Sequence, residues 1–159
     1  KGKEDLFCAV VDQTVKDLYE VAHSRGDRDP AAMSDAELIK GWDMDGPDMM
    51  WWMRFLYDRH DDFVLLLSRS DGTRYANFQH DWVAVLTNAT SAFLAEAQRR
   101  GICRTDVGPE ELHILLSAFW TTIYEPFIHG FDWEQIEQHC RIVCKLFDWH
   151  KALEFHVEK

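Results

Sequence analysis

Residues 110–155 read EELHILLSAFWTTIYEPFIHGFDWEQIEQHCRIVCKLFDWHKALEF, and two different helical patterns lie within them. Up to residue 129, Leu112, Ile114, Leu115, Leu116, Ala118, Phe119, Trp120, Ile123, Tyr124, Phe127 and Ile128 fall almost all round a helix, the pattern of one buried on every side. Pro126 should bend its last turn, because it has no N–H for the carbonyl four residues back, and Gly130 should end it. A second helix is expected from about residue 132 to residue 155, with two apolar stripes. Ile136, Cys140, Val143, Cys144 and Phe147 form one. Ile142, Leu146, Trp149 and Leu153 form the other, about 140° around the axis at 3.6 residues per turn. One stripe can face the chain's own core. The second needs a partner, and a second copy of the chain is the simplest one.

Towards the N-terminus the same period continues. Over residues 75–100, Tyr75, Phe78, Trp82, Val85, Leu86, Ala89 and Phe93 make one stripe, and Gly101 stands where a C-cap glycine would. At 1.5 Å per residue such a helix is roughly 40 Å long. Residues 63–67 (FVLLL) read as a short buried helix rather than a strand, since a lone strand has no pairing partner, and Ser70, Asp71, Gly72 and Thr73 form the turn after it. Pro47 suits the first turn of a helix carrying residues 49–57. Ser34 with Glu37 makes a capping box for a short helix expected to stop near Gly46 and Pro47. The first helix should span about residues 4–23, with Phe7, Val10, Val11, Leu18, Val21 and Ala22 on one face and a break over residues 24–30. Nothing reads as a sheet, so the expected fold is an all-α bundle of about six helices.

A chain of 159 residues suits one domain, and seven Trp with ten Phe are more large rings than a core of that size readily hides. A pocket or a partner surface is the alternative use for them. The net charge of −11 repels phosphate, which argues against direct binding to nucleic acid or to an anionic membrane. The longest apolar runs are too short to span a bilayer. Cys8, Cys103, Cys140 and Cys144 lack the spacing of a disulfide framework, and no secretory signal opens the chain, so a cytoplasmic, soluble protein is expected.

Three groups of residues have types and spacings that catalytic or metal chemistry could use. Glu20/His23 and Glu110/His113 are Glu-x-x-His pairs of the kind used by di-iron bundles. The first pair lies opposite the apolar stripe of its helix, and Glu110 sits where a carboxylate favours a helix N-terminus. Cys140 and Cys144 are one turn apart beside His139, which would suit a soft metal, but cysteines on a buried stripe read as small hydrophobes. His129, one turn after Glu125, suits a helix C-terminus by charge alone. No phosphate loop, nucleophile elbow or Cys-x-x-Cys pair occurs, so no enzyme and no cofactor is expected. The aromatic and methionine group is the best functional lead. Met49, Met50, Trp51, Trp52, Met53 and Phe55 share one helix, Phe78 and Trp82 the long one, and Phe119, Trp120 and Tyr124 the penultimate one. Such side chains make adaptable, polarisable walls for small apolar or planar molecules.

The opening Lys1-Gly2-Lys3-Glu4-Asp5-Leu6-Phe7 resembles the junction of TetR-type transcriptional regulators, where a short basic linker leads from the helix-turn-helix into the fourth helix. The penultimate helix, with Ile123 ahead of His129-Gly130, and the last, with Leu146, Phe147 and Trp149, are similar to the family's final pair. Residues 63–67, Asp71-Gly72 and residues 75–78 match its looser pattern between. The resemblance spans essentially the whole chain, with the DNA-binding head falling before Lys1. It implies that residues 1–3 end that head and residues 4–159 form an effector-binding and dimerisation domain. The implied homodimer is a four-helix bundle of the last two helices of each chain, with Leu115, Phe127, Ile142, Leu146, Trp149 and Leu153 at its interface. The implied effector pocket maps to Trp52, Phe55, Trp82, Leu86, Phe119 and Tyr124, and Lys3 matches a lysine that meets DNA phosphate. DNA would be a partner only through the head. Two other readings are open: a ligand-free helical dimerisation module, and a metal or haem sensor using Cys140, Cys144 and nearby histidines.

Overall fold

The computed structural model describes residues 2–44 and 46–156, and every regular element among them is helical. In chain order these are α1 (Lys3–Gly26), a 3-10 turn (Pro30–Ala32), α2 (Asp35–Lys40), α3 (Gly46–Tyr57), α4 (His60–Arg69), α5 (Phe78–Arg99), α6 (Pro109–Ile128), α7 (Trp133–Leu146) and α8 (Trp149–Ala152). Lys1 of the linker-like opening lies outside the described residues.

The helix ends follow local rules. Ser34 caps α2, its Oγ accepting from Glu37 N–H at 3.3 Å while Glu37 accepts from Ser34 N–H at 2.8 Å. Asp132 and Gln135 form the same reciprocal pair at the start of α7. After α5, Gly101 takes φ +70°, and the N–H groups of Gly101 and Ile102 close onto Gln98 and Ala97. After α6, Gly130 at φ +69° does the same, with Gly130 and Phe131 closing onto Phe127 and Pro126. Both positions require glycine for the same reason: an L side chain is strained at these angles.

Pro126 lies inside α6, so Thr122 lacks the N–H that would normally close on its carbonyl. His139 of α7 supplies the donor instead, its Nε2 2.7 Å from the Thr122 oxygen. The proline thus docks α7 against α6 through one ring nitrogen.

Packing departs from the sequence reading in five places. On α5, which starts at Phe78 rather than Tyr75, the buried face is Phe78, Trp82, Val83, Thr87, Leu94 and Ala97, whereas Val85, Leu86, Ala89 and Phe93 are only partly buried. On α1 the core face is Cys8, Val11, Val15, Leu18 and Ala22, a strict run at helical spacing against α4 and α5, whereas Val10 is exposed. The short helix ends at Lys40 rather than near Gly46, because Gly41 and Trp42 turn the chain and Trp42 buries its ring against Trp149 and Phe155. α6 is not buried all round: Ile114 and Ile128 are exposed along one flank. The last helix is not continuous. It stops at Leu146, Phe147 adopts φ −103° and ψ 66°, and the Asp148 carboxylate caps the new turn by accepting from Lys151 N–H at 3.0 Å.

That break redistributes the second stripe. Trp149 and Leu153 turn inward to 5% and 0% exposure, while Ile142 and Leu146 stay outward at 57% and 68%. The inward half is fastened by backbone bonds from Arg104 N–H to Leu153 O and from His156 N–H to Ile102 O, and by His150 Nε2 at 2.8 Å from Ile39 O.

Polar latches fix the remaining elements. Arg100 at the end of α5 donates to Glu96, to Met33 O and Asp35, and to Pro30 O and Ala31 O, which ties the 3-10 turn and α2 to the long helix. Arg59 grips Asp17 of α1 with two bonds of 2.8 and 2.9 Å and lies 3.9 Å over the Phe55 ring. At Gly26 a Cβ would stand 3.3 Å from that of Ala89, tighter than ordinary van der Waals contact, so α1 and α5 approach closely there.

Candidate functional site

A cavity of about 90 Å³ opens among α1, α3, α5, α6 and the loop before α3. Val21 and Ala22 come from α1, Met44 from the loop, Asp48 and Trp52 from α3, Trp82 and Leu86 from α5, and Phe119, Trp120 and Ile123 from α6. Ala22, Trp82, Phe119, Trp120 and Ile123 are buried and make the inner wall, whereas Met44, Trp52 and Leu86 are partly exposed and Asp48 is exposed. The lining is thus apolar and aromatic inside, with one carboxylate on the solvent side.

Aromatic contacts radiate from this wall. Trp82 meets Tyr19 edge-on at 5.7 Å, Trp120 at 5.6 Å and Trp52 at 6.2 Å, the last pair only 7° from parallel. Phe55 stacks on Trp52 at 5.3 Å, and Tyr124 packs on Trp120 at 5.7 Å. Of the residues expected to bind an effector, Trp52, Trp82, Leu86 and Phe119 line the cavity, while Phe55 and Tyr124 lie outside the lining and touch it through Trp52 and Trp120. Val21, Ala22, Met44, Asp48, Trp120 and Ile123 complete the lining. The aromatic group already contained Trp120, but Val21 and Ala22 carried only the signal of a core face, and nothing in the local pattern marked Met44 or Asp48.

Two of the lining side chains carry an unmet need. The indole Nε1–H groups of Trp82 and Trp120 are fully buried and have no hydrogen-bond acceptor. Buried donors are nearly always satisfied, so these two depart from the usual pattern.

α1 is tied to several elements around the cavity. Asp12 accepts from Arg74 and from the Tyr75 hydroxyl at 2.7 Å, and Glu4 accepts from Arg74 N–H, all just ahead of α5. Those bonds, Arg74's first, hold the Asp12 carboxyl below its ordinary range. Asp17 is lowered likewise, by Arg59 first and then by Gln13.

The expected interface residues separate into two groups. Phe127, Trp149 and Leu153 are buried within the chain and Leu115 is partly so, whereas Ile142 and Leu146 are exposed. On α7, Ile142 and Leu146 lie within about 60° of His139 at 100° per residue, and on α6, Ala118 and Ile114 lie within about 80° of Thr122. Since His139 meets Thr122, the two apolar flanks border one seam. Lys3 is exposed at the first residue of α1.

The metal-type pairs are engaged elsewhere. Glu20 pairs with Lys16, and His113 lies 3.1 Å from Thr87 Oγ1. Burial, and then the Cys144 thiol, push the Cys140 thiol up to about 12. His139 spends its Nε2 on Thr122 O, and among the described residues no group of three or more His, Cys, Asp or Glu converges. Among those residues no helix is long and apolar enough to cross a membrane.

Compared with known proteins, the chain matches no family model, no curated protein and no solved structure.

Proposed function

We propose that this chain is the effector-binding and dimerisation part of a TetR-type transcriptional regulator. The carrying observation is the aromatic cavity, whose wall includes α1, the helix that begins at the linker-like segment. A small apolar or planar molecule entering between Trp52 and Trp82 shifts α5 against α1. The Asp12–Arg74–Tyr75 and Asp17–Arg59 ties pass that shift along α1 towards a preceding DNA-binding head. Ligand moves such an equilibrium only by its differential affinity for the two arrangements, typically about 1–3 kcal/mol of coupling. The exposed flank of Ile114, Ile128, Ile142 and Leu146 supports a homodimer across the α6–α7 seam.

Titration of the intrinsic tryptophan fluorescence against a panel of small apolar and planar compounds tests the sensing half. Saturable quenching or a spectral shift is expected, lost in a variant with Leu86→Arg in the cavity wall. No response to any compound leaves a ligand-free dimerisation module. Sedimentation velocity tests the other half, with a dimer expected.

A further inference from the structure

The cavity among α1, α3, α5 and α6 is bordered by four aromatic side chains, Trp52, Trp82, Phe119 and Trp120, with the partly exposed Met44 thioether beside them. Among the described residues its lining holds one charged side chain, the exposed Asp48 carboxylate, and no basic one. Asp48 and Trp52 stand one turn apart on α3 and both border the cavity, so a charge seated beside the Trp52 ring lies within a helical turn of a carboxylate. Trp52 and Trp82 are 7° from parallel with centroids 6.2 Å apart. Rings in full face contact lie roughly 3.5–4 Å apart, so each indole leaves part of its π face uncovered by the other. The net charge of −11 draws cations towards the whole molecule and repels anions.

Such a lining sorts ligands by charge and by hydration. An anion meets Asp48 with no base in the lining to offset the repulsion. A metal ion or a primary ammonium needs several oxygens to replace its water, and one carboxylate among carbons does not supply them. A neutral apolar molecule packs on the rings but gains nothing from the carboxylate. A quaternary ammonium has no N–H to satisfy, presents methyl groups that pack on carbon, and is attracted by π faces, those of Trp most of all. We propose that the cavity takes a quaternary ammonium headgroup, seated beside Trp52 against the aromatic inner wall, with its charge offset by Asp48. At about 90 Å³ the cavity is smaller than the roughly 150 Å³ that accepts benzene in an engineered core, so a compact head suits it better than a ring system. The rest of the ligand leaves past Met44 and Asp48, on the solvent side. This inference rests on the effector-pocket reading and gives its ligand a charge.

The test compares two probes of one shape, choline and 3,3-dimethyl-1-butanol, which differ by a quaternary nitrogen in place of a quaternary carbon. Both are titrated into the protein at constant ionic strength, following the intrinsic tryptophan fluorescence. Choline should bind about tenfold more tightly, the gain expected from a cation beside an indole and a carboxylate. Asp48→Asn, at an exposed position, should lower the choline affinity severalfold and leave that of the alcohol unchanged. Leu86→Arg should abolish binding of both. Because the first comparison is made on the unaltered protein, a variant that folds poorly does not blunt it. Equal affinity for the two probes, or tighter binding of the alcohol, overturns the cation inference while the effector-pocket reading stands. Choline binding that neither substitution weakens places the cation elsewhere and overturns it too. If neither probe binds but another small apolar or planar compound does, the cation inference alone fails; if nothing binds, both readings fail.

Discussion

Ile142 and Leu146 continue in sequence into Trp149 and Leu153 as one apolar stripe, yet the first pair faces out and the second is core. Four similar side chains at one helical period meet opposite environments. The cause is a local one, the Asp148 carboxylate and the backbone turn at Phe147, which re-aim everything after Leu146. Apolar period describes a helix face only for as long as the helix lasts. The outward half stays exposed on the surface of α7, and the inward half closes the end of the bundle over Trp42 and Phe119.

Of changes along this stripe, the largest effect should come from the inward half. Trp149→Ala removes a ring packed against Trp42, Phe119 and Phe147 and should cost about 3–5 kcal/mol in urea unfolding. A cost below about 1 kcal/mol would break the comparison, because it would mean the stripe is outward throughout.

His139→Ala sharpens it at the seam. The Thr122 carbonyl, already denied a partner by Pro126, loses its donor, for an expected cost of about 1–3 kcal/mol. Restoring the intrahelical donor with Pro126→Ala in that background should recover part of the loss, a coupling measurable in a double-mutant cycle.

Asp148→Ala asks whether the cap makes the break. Loss of about 1 kcal/mol is expected, with faster amide exchange over residues 147–153 and unchanged exchange over residues 136–146.

On the outward half, Ile142→Glu with Leu146→Glu should alter the stability of the isolated chain by no more than about 0.5 kcal/mol. The same change should convert a dimer to a monomer in sedimentation. A dimer that persists would move the interface off this flank.

Acid should also tell the halves apart. Arg104 donates to Ala152 O and holds the Asp106 carboxyl down to about 2 from its ordinary 3.8. A lowered folded value means the stabilisation is present above about pH 4 and fades as the pH falls towards 2. The α8 end should therefore loosen over that window in an amide-exchange titration. Asp106→Asn should remove the pH step there and leave α7 as it was.

Much of the fold was legible in the chain because its signals are short-range. Ser34 with Glu37, and the glycines at 101 and 130, act within a few residues of themselves, and the structure places helix ends at each. The aromatic wall was legible as a group, and Trp52, Trp82, Leu86 and Phe119 meet at the cavity from three separate helices. What lay deeper was which ring faces in. Phe55 and Tyr124 have the same chemistry as their neighbours and differ only in the direction that packing gives them.

The sequence by itself determined that this protein is helical and where most of its helices start and stop. Hydrophobic period and capping are properties of neighbouring residues, so a linear reading reaches them. Only the tertiary structure decided that one stripe divides into core and surface, that a histidine from one helix answers a proline in another, and that Trp82 and Trp120 are brought together from separate helices in the wall of one cavity. Each of these joins residues far apart in the chain, and burial is set by what comes to rest against a side chain rather than by the side chain itself.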